Sequence, residues 1–245
     1  MSTNYFKELL EKFPKAYYLG LGNPHSNILF VGKEPGDEIG TESSHGTVGS
    51  YWNDNNNCWD EKKYAQKYKG EGKLRHLNHT WQRYQKLYDL ILEKLGIPQD
   101  KKEDKYEISF VENVFTTELS HLSAKTTKEA KTQDKFQDEL ERRKKDFFSS
   151  EFIKNFQIVL IFASDNQYID YSEVCRMFNV KFDKVYEIGD ENKRKDKIWA
   201  HYSSDNNKLL LHTRQLTNSI KSGVINKLAE IIANFVIENK INIIH

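Results

Sequence analysis

Three polar residues of this 245-residue chain stand at apolar runs, where a folded sheet could put them to chemical use: Glu34, Asn113 and His212. Glu34 belongs to Gly32-Lys33-Glu34-Pro35-Gly36, which follows Ile28-Leu29-Phe30-Val31 without a break. A buried strand that ends in a Gly-bounded turn holds backbone amides and a carboxylate at its carboxyl edge, where open α/β sheets take their ligands. Glu34 is therefore the first candidate for chemistry, as a group that holds water or faces positive charge. Asn113, within Phe110-Val111-Glu112-Asn113-Val114, carries both an amide donor and a carbonyl acceptor, a pair suited to reading a polar ring edge. His212, after Leu209-Leu210-Leu211, offers a donor that works even as the neutral tautomer.

The elements that must position these residues follow from hydropathic spacing. Strands are expected over 28–31, 108–115, 158–163 and 209–212, with shorter ones over 184–188 and 199–202. The unbroken apolar run Ile158-Val159-Leu160-Ile161-Phe162-Ala163 suits the middle of a sheet covered on both sides, and it exits into Ser164-Asp165-Asn166. Helical spacing predicts helices over 5–13, 81–95, 132–148 and 225–236, the first stopped by Pro14 and the second by Gly96-Ile97-Pro98. Strands alternating with helices predict an α/β fold, a mostly parallel sheet between helical layers, because parallel pairing needs crossovers. The Gly-, Ser- and Asn-rich stretch 41–57 reads as a long functional loop, and no linker divides the chain, so one domain over 1–245 is expected.

Composition narrows the function. A 30% charged fraction and apolar runs far shorter than the roughly 20 residues of a membrane span predict a hydrated, cytoplasmic protein with no signal segment. Two cysteines, Cys58 and Cys175, suffice neither for a disulfide framework nor for a four-thiolate cluster, and both are expected as thiols. The net charge of +1 gives no global basic field, so a nucleic-acid contact would have to be local. One such patch is Lys62, Lys63, Lys67, Lys69, Lys73, Arg75 and Arg83, interleaved with Tyr64, Tyr68, Trp81 and Tyr84, although a solvated surface explains it as well.

The order of these segments resembles the uracil-DNA glycosylase superfamily. Its first motif is a strand followed by Gly-x-[Asp/Glu/Asn/Ala]-Pro-[Gly/Tyr], here Gly32-Lys33-Glu34-Pro35-Gly36. Its late motif begins His-Pro-Ser or Asn-Pro-Ser, here His212-Thr213-Arg214-Gln215-Leu216-Thr217. The resemblance runs from about Ile28 to about Ile220 and departs at Lys33, Thr213 and Arg214. It implies a three-layer α/β/α sandwich and metal-independent hydrolysis of the N-glycosidic bond to a flipped base, hence a role in DNA repair by base excision.

On that resemblance Glu34 positions water and stabilises the cationic sugar, while His212 donates to the departing base. Asn113 reads the base, Tyr51 or Trp52 stacks on it, and Leu216 wedges into the duplex. Lys33, Gly36 and Arg214 would line the nucleic-acid path, the DNA being single-stranded or carrying an altered base. Two other readings stay open: a silent nucleic-acid-binding module of the same fold, and a hydrolase of free nucleosides or nucleotides. No cofactor is expected, since phosphate-loop and dinucleotide signatures are missing and His76 and His79 lack the carboxylate or thiolate partners of a metal site.

Overall fold

The computed structural model describes residues 3–14, 17–36, 39, 52–53, 58–59, 79–99, 108–189, 195–216, 220 and 222–244. Its strands are β1 (Leu21–Gly22), β2 (Ile28–Gly32), β3 (Trp52–Asn53), β4 (Cys58–Trp59), β5 (Phe115–Glu118), β6 (Ile158–Phe162), β7 (Lys181–Ile188), β8 (Asp196–Tyr202) and β9 (Leu209–Thr213). Its α-helices are α1 (Thr3–Lys12), α2 (His79–Lys94), α3 (Thr127–Lys131), α4 (Phe136–Arg143), α5 (Glu151–Lys154), α6 (Tyr171–Phe178) and α7 (Ser222–Asn239).

Seven strands form one sheet in the order β1-β5-β2-β6-β9-β8-β7, and β3 pairs with β4 in a separate ribbon. The four central strands β5, β2, β6 and β9 run parallel, and β1, β8 and β7 join antiparallel at the margins. This is a mixed α/β fold around a mostly parallel central sheet. No helix among the described residues is long and apolar enough to cross a membrane.

Side chains alternate across a strand, and the register sets Leu29 beside Phe115 and Phe30 beside Thr116. Phe30 and Phe115 therefore face opposite sides of the sheet. Phe30 meets Tyr84 of α2 edge-on at 5.1 Å between ring centres, and α2 in turn packs on α7. Phe115 meets Phe6 of α1 at 6.0 Å and Phe152 of α5 at 5.1 Å. Such offset and edge-on aromatic pairs join the elements through ring geometry as well as buried area.

Three expectations change. The apolar run 108–115 is not a strand: Phe110–Glu112 forms a single 3₁₀ turn, and the strand begins at Phe115. Phe110 and Val111 are buried by packing that turn under the sheet, with Phe110 edge-on to Trp81 at 5.7 Å. The expected helix 132–148 starts later, at Phe136, and passes at Lys144 into a π turn ending at Phe148. That wider turn lets the successive residues Phe147 and Phe148 both be buried beside Arg143. Helix α6 went unforeseen, although Asp170 and Glu173 form a reciprocal capping box at its start. Trp81 and Tyr84, offered as stacking partners in a basic patch, are core residues, only 4% and 1% exposed.

The buried histidines make the fold acid-sensitive. His201 is fully buried between the rings of Tyr171 and Phe182, and burial, then the neighbouring His212, pulls its pKa down to about 4. Burial also lowers His121 to about 4, helped by Arg143 and Arg142, and lowers His212. A depressed folded-state pKa gives stability that is complete above the unfolded value near 6.5 and is lost as pH falls toward about 4. His201→Phe should remove roughly 2 kcal/mol of the stability difference between pH 7 and pH 5. Urea unfolding at both pH values checks this, and an unchanged difference would count against the buried neutral imidazole.

Candidate functional site

The central strands end together. From β2 the chain crosses to β5 on one side, whereas β6 and β9 lie on the other, so the exits of β2 and β6 diverge at the point where strand order reverses. Loops leaving two strands in opposite directions open a crevice there, the usual ligand position of such sheets. Lys33 and Glu34 leave β2 at this point, and Asp165 and Tyr168 follow the end of β6.

Pairing continues past the sheet and holds Glu34 in place. Leu119 N–H donates to the Gly32 carbonyl at 3.0 Å, Ser120 N–H to that of Lys33 at 2.8 Å, and Ala124 N–H to that of Pro35 at 3.0 Å. The backbone on both sides of Glu34 is thereby fixed to the segment after β5. The Thr127 hydroxyl, in the first turn of α3, donates to Glu34 Oε1 at 2.9 Å. Glu34 Oε2 is buried, and the Tyr168 hydroxyl lies against the carboxyl. A carboxylate with one oxygen anchored and a phenol beside it is held in one orientation, since a buried acceptor left unmatched costs about 1–3 kcal/mol.

Charged neighbours complete this edge. Lys131 Nζ donates to Asp165 Oδ2 at 2.6 Å, and Lys33 Nζ approaches the same oxygen at 3.8 Å. Burial alone would raise the Asp165 pKa, but the Lys131 hydrogen bond, the Gln167 amide and the charges of Lys131 and Lys33 hold it below the usual value. Both lysines also sit over the Tyr168 ring, at 5.5 Å and 5.8 Å from its centre. The Tyr168 hydroxyl is buried against the Glu34 carboxyl, and burial, then its close approach to Glu34, raises its pKa.

A second carboxyl group, which sequence reasoning did not single out, belongs to the same constellation. Glu118 ends β5 beside Gly32 in register, and its carboxyl lies over the Gly32 Cα, where an added methyl would come within 2.1 Å of Oε2. Glycine at position 32 is what lets this carboxyl approach β2. Burial raises the Glu118 pKa well above the carboxylate range, the charge of Glu34 raises it further, and Arg143 opposes both. The sequence signal was the carboxylate closing the strand-like run Phe115-Thr116-Thr117-Glu118.

The expected site residues separate into groups. Lys33, Glu34 and Gly36 share the β2 exit, and Gly36 is exposed with no described atom within 4 Å of where its Cβ would stand. His212, on β9, also lies toward the carboxyl edge, but β6 intervenes, so it stands about 10 Å away from β2, two strand spacings. Its Nε2 lies 2.6 Å from the Ala163 carbonyl oxygen, an acceptor, so Nε2 carries the proton and spends it on the backbone. With burial disfavouring the charged ring, His212 is a neutral imidazole whose donor is already committed. Arg214 pairs through Nε with Asp196 Oδ1 at 2.8 Å.

Two assignments are corrected. Asn113 caps the 3₁₀ turn before β5, and its carbonyl accepts from the Ser26 hydroxyl at 2.6 Å. It therefore sits at the amino end of the sheet, separated from the Glu34 edge by the length of β5, roughly 10 Å or more. Asn113 and Glu34 do not converge. Leu216 is fully buried in the hydrophobic core and is not presented as a wedge. Tyr51 and His76 lie outside the described residues; Trp52 is described only as backbone in β3 and His79 only as the start of α2. Among the described residues no group of three or more His, Cys, Asp or Glu side chains is placed to hold a metal ion.

No protein-family model, curated protein or solved structure matches this chain.

Proposed function

We propose that the chain is a glycosylase-like hydrolase of the N-glycosidic bond between a nucleobase and its sugar, acting in the cytoplasm on DNA that carries uracil or another altered base. The fold proposed with it is a three-layer α/β/α sandwich. The observation that carries this reading is the Glu34 carboxylate at the strand-order reversal, one oxygen held by Thr127 and the carboxyl buried against the Tyr168 hydroxyl. Breaking a base–sugar bond builds positive charge on the sugar, and a fixed carboxylate stabilises that charge and takes a proton from the attacking water. Lys131 is bonded to Asp165, and Lys33, the looser of the two at 3.8 Å from the same oxygen, is the lysine placed to turn to a phosphate, on a chain with no basic field overall.

Release of free base from oligonucleotides bearing uracil or a deaminated base tests the reading; binding without release would favour the silent module. Gly36 separates a polymeric substrate from a small one. Because it is exposed at this edge, Gly36→Trp should leave thermal stability within about 0.5 kcal/mol of the parent. It should weaken oligonucleotide binding by about tenfold or more, the size of a lost phosphate or stacking contact. Equal loss of activity on oligonucleotide and on free nucleoside would point to a nucleoside hydrolase instead.

A further inference from the structure

We infer that Glu118, rather than His212, is the acid that protonates the departing base. This rests on the hydrolase reading of the site and assigns its second proton transfer.

The geometry comes first. Glu118 and Gly32 are side by side in register, and the absent side chain at Gly32 brings the Glu118 carboxyl to the strand exit that carries Glu34. The Tyr84 hydroxyl, close enough to feel the Glu118 charge, is buried without a hydrogen-bond partner, and Glu34 and the Tyr168 hydroxyl stand beside the same carboxyl. A buried hydroxyl is almost always paired, so an orphan phenol beside two carboxyls marks a place built to meet a polar ligand. His212 offers no competing proton, since its Nε2–H is held by the Ala163 carbonyl and its ring is neutral.

Electrostatics then divides the two carboxyls. Burial and the charge of Glu34 raise the Glu118 pKa, against the opposing charge of Arg143, and so favour its protonated form. Two nearby carboxyls whose environments push them apart are the familiar way to obtain an acid and a base in one site. Arg143 is held away from a full ion pair because its Nε donates to the Glu118 backbone carbonyl at 2.9 Å and its Nη2 to the Thr117 hydroxyl at 2.9 Å.

The step balances. The bond from the sugar carbon to the base nitrogen breaks and its electron pair leaves with the base. The Glu118 O–H proton passes to the base, and water forms the new carbon–oxygen bond while giving its proton to Glu34. The products are neutral base and free sugar hydroxyl, with the proton now on Glu34 and the charge on Glu118. Return of that proton through solvent resets the pair.

The test compares wild type with E118Q on oligonucleotides carrying uracil and 5-fluorouracil, the second base being the more acidic and needing less help to leave. E118Q keeps the size and hydrogen bonding of the side chain but has no proton to transfer. Its kcat should fall by about 10²–10³ on uracil and by less than about tenfold on 5-fluorouracil. Wild-type kcat/KM should fall at alkaline pH as Glu118 ionises, and E118Q should lose that limb. Equal losses on the two bases, or an alkaline limb retained in E118Q, would overturn the assignment while leaving the hydrolase reading standing. Wild-type protein that releases neither base would overturn both. If E118Q does not fold, Gly32→Ala provides the second variant, since its methyl must displace the same carboxyl; it should show the same contrast between bases, and equal losses would again overturn the assignment.

Discussion

Glu34→Gln is expected to lower the rate of base release by about 10²–10⁴-fold, the range for loss of a positioned general base, while oligonucleotide affinity stays within about threefold. The amide matches the carboxylate in shape and its carbonyl can still accept from the Thr127 hydroxyl, so the loop between β2 and α3 should keep its form. What disappears is the negative charge and the ability to accept a proton, both of which matter most as the sugar becomes cationic. The variant separates chemistry from scaffolding in another way. The charge on Glu34 contributes to keeping Glu118 protonated, so neutralising position 34 should also move the alkaline limb of activity to lower pH. Single-turnover base release and equilibrium binding, measured on one substrate, check both parts; unchanged single-turnover rates would remove Glu34 from the mechanism.

Leu216→Ala has the largest expected effect on stability, about 2–5 kcal/mol, because a fully buried leucine loses its apolar contacts and leaves a cavity. A residue that wedges into a duplex would behave in the opposite manner: truncation would leave the free protein stable and weaken only its hold on distorted DNA. Denaturant unfolding therefore decides between them. A loss below about 0.5 kcal/mol would contradict the core assignment.

The strands that were legible in the sequence are those that open on a continuous apolar run. Ile28 to Gly32, Ile158 to Phe162 and Leu209 to Thr213 are buried at every position, and continuous hydrophobicity marks a strand covered on both faces. β5 broke this rule. Its residues Phe115, Thr116, Thr117 and Glu118 are mostly polar, yet Thr116 and Thr117 are buried, with the Thr117 hydroxyl donating to the Leu19 carbonyl at 2.8 Å. A polar strand leaves no hydropathic trace, whereas the apolar 3₁₀ turn before it imitates a strand. Reading that turn as part of the strand ended the strand at Phe115 instead of Glu118, and put forward Asn113, at the far end of the sheet, in place of the Glu118 carboxyl.

The Gly32-to-Gly36 turn was legible because its glycines and proline are tied to backbone geometry, not to packing. The commitment of His212 to Ala163 was not legible, since it depends on the register between β6 and β9 that sets Ile161 beside His212. The pairing of Arg214 with Asp196 likewise depends on two strands far apart in sequence coming together at one edge. Local chemistry could name a carboxylate, an imidazole and a guanidinium; only the sheet determines which of them have an open valence.

The most direct measurement of the central claim is the amount of free base released from uracil-containing DNA, single-stranded and mismatched, by wild type and Glu34→Gln side by side. The account predicts stoichiometric release by wild type and at least a hundredfold slower release by the variant at similar occupancy. Intact DNA after prolonged incubation with wild type, on uracil and on deaminated bases alike, would contradict it.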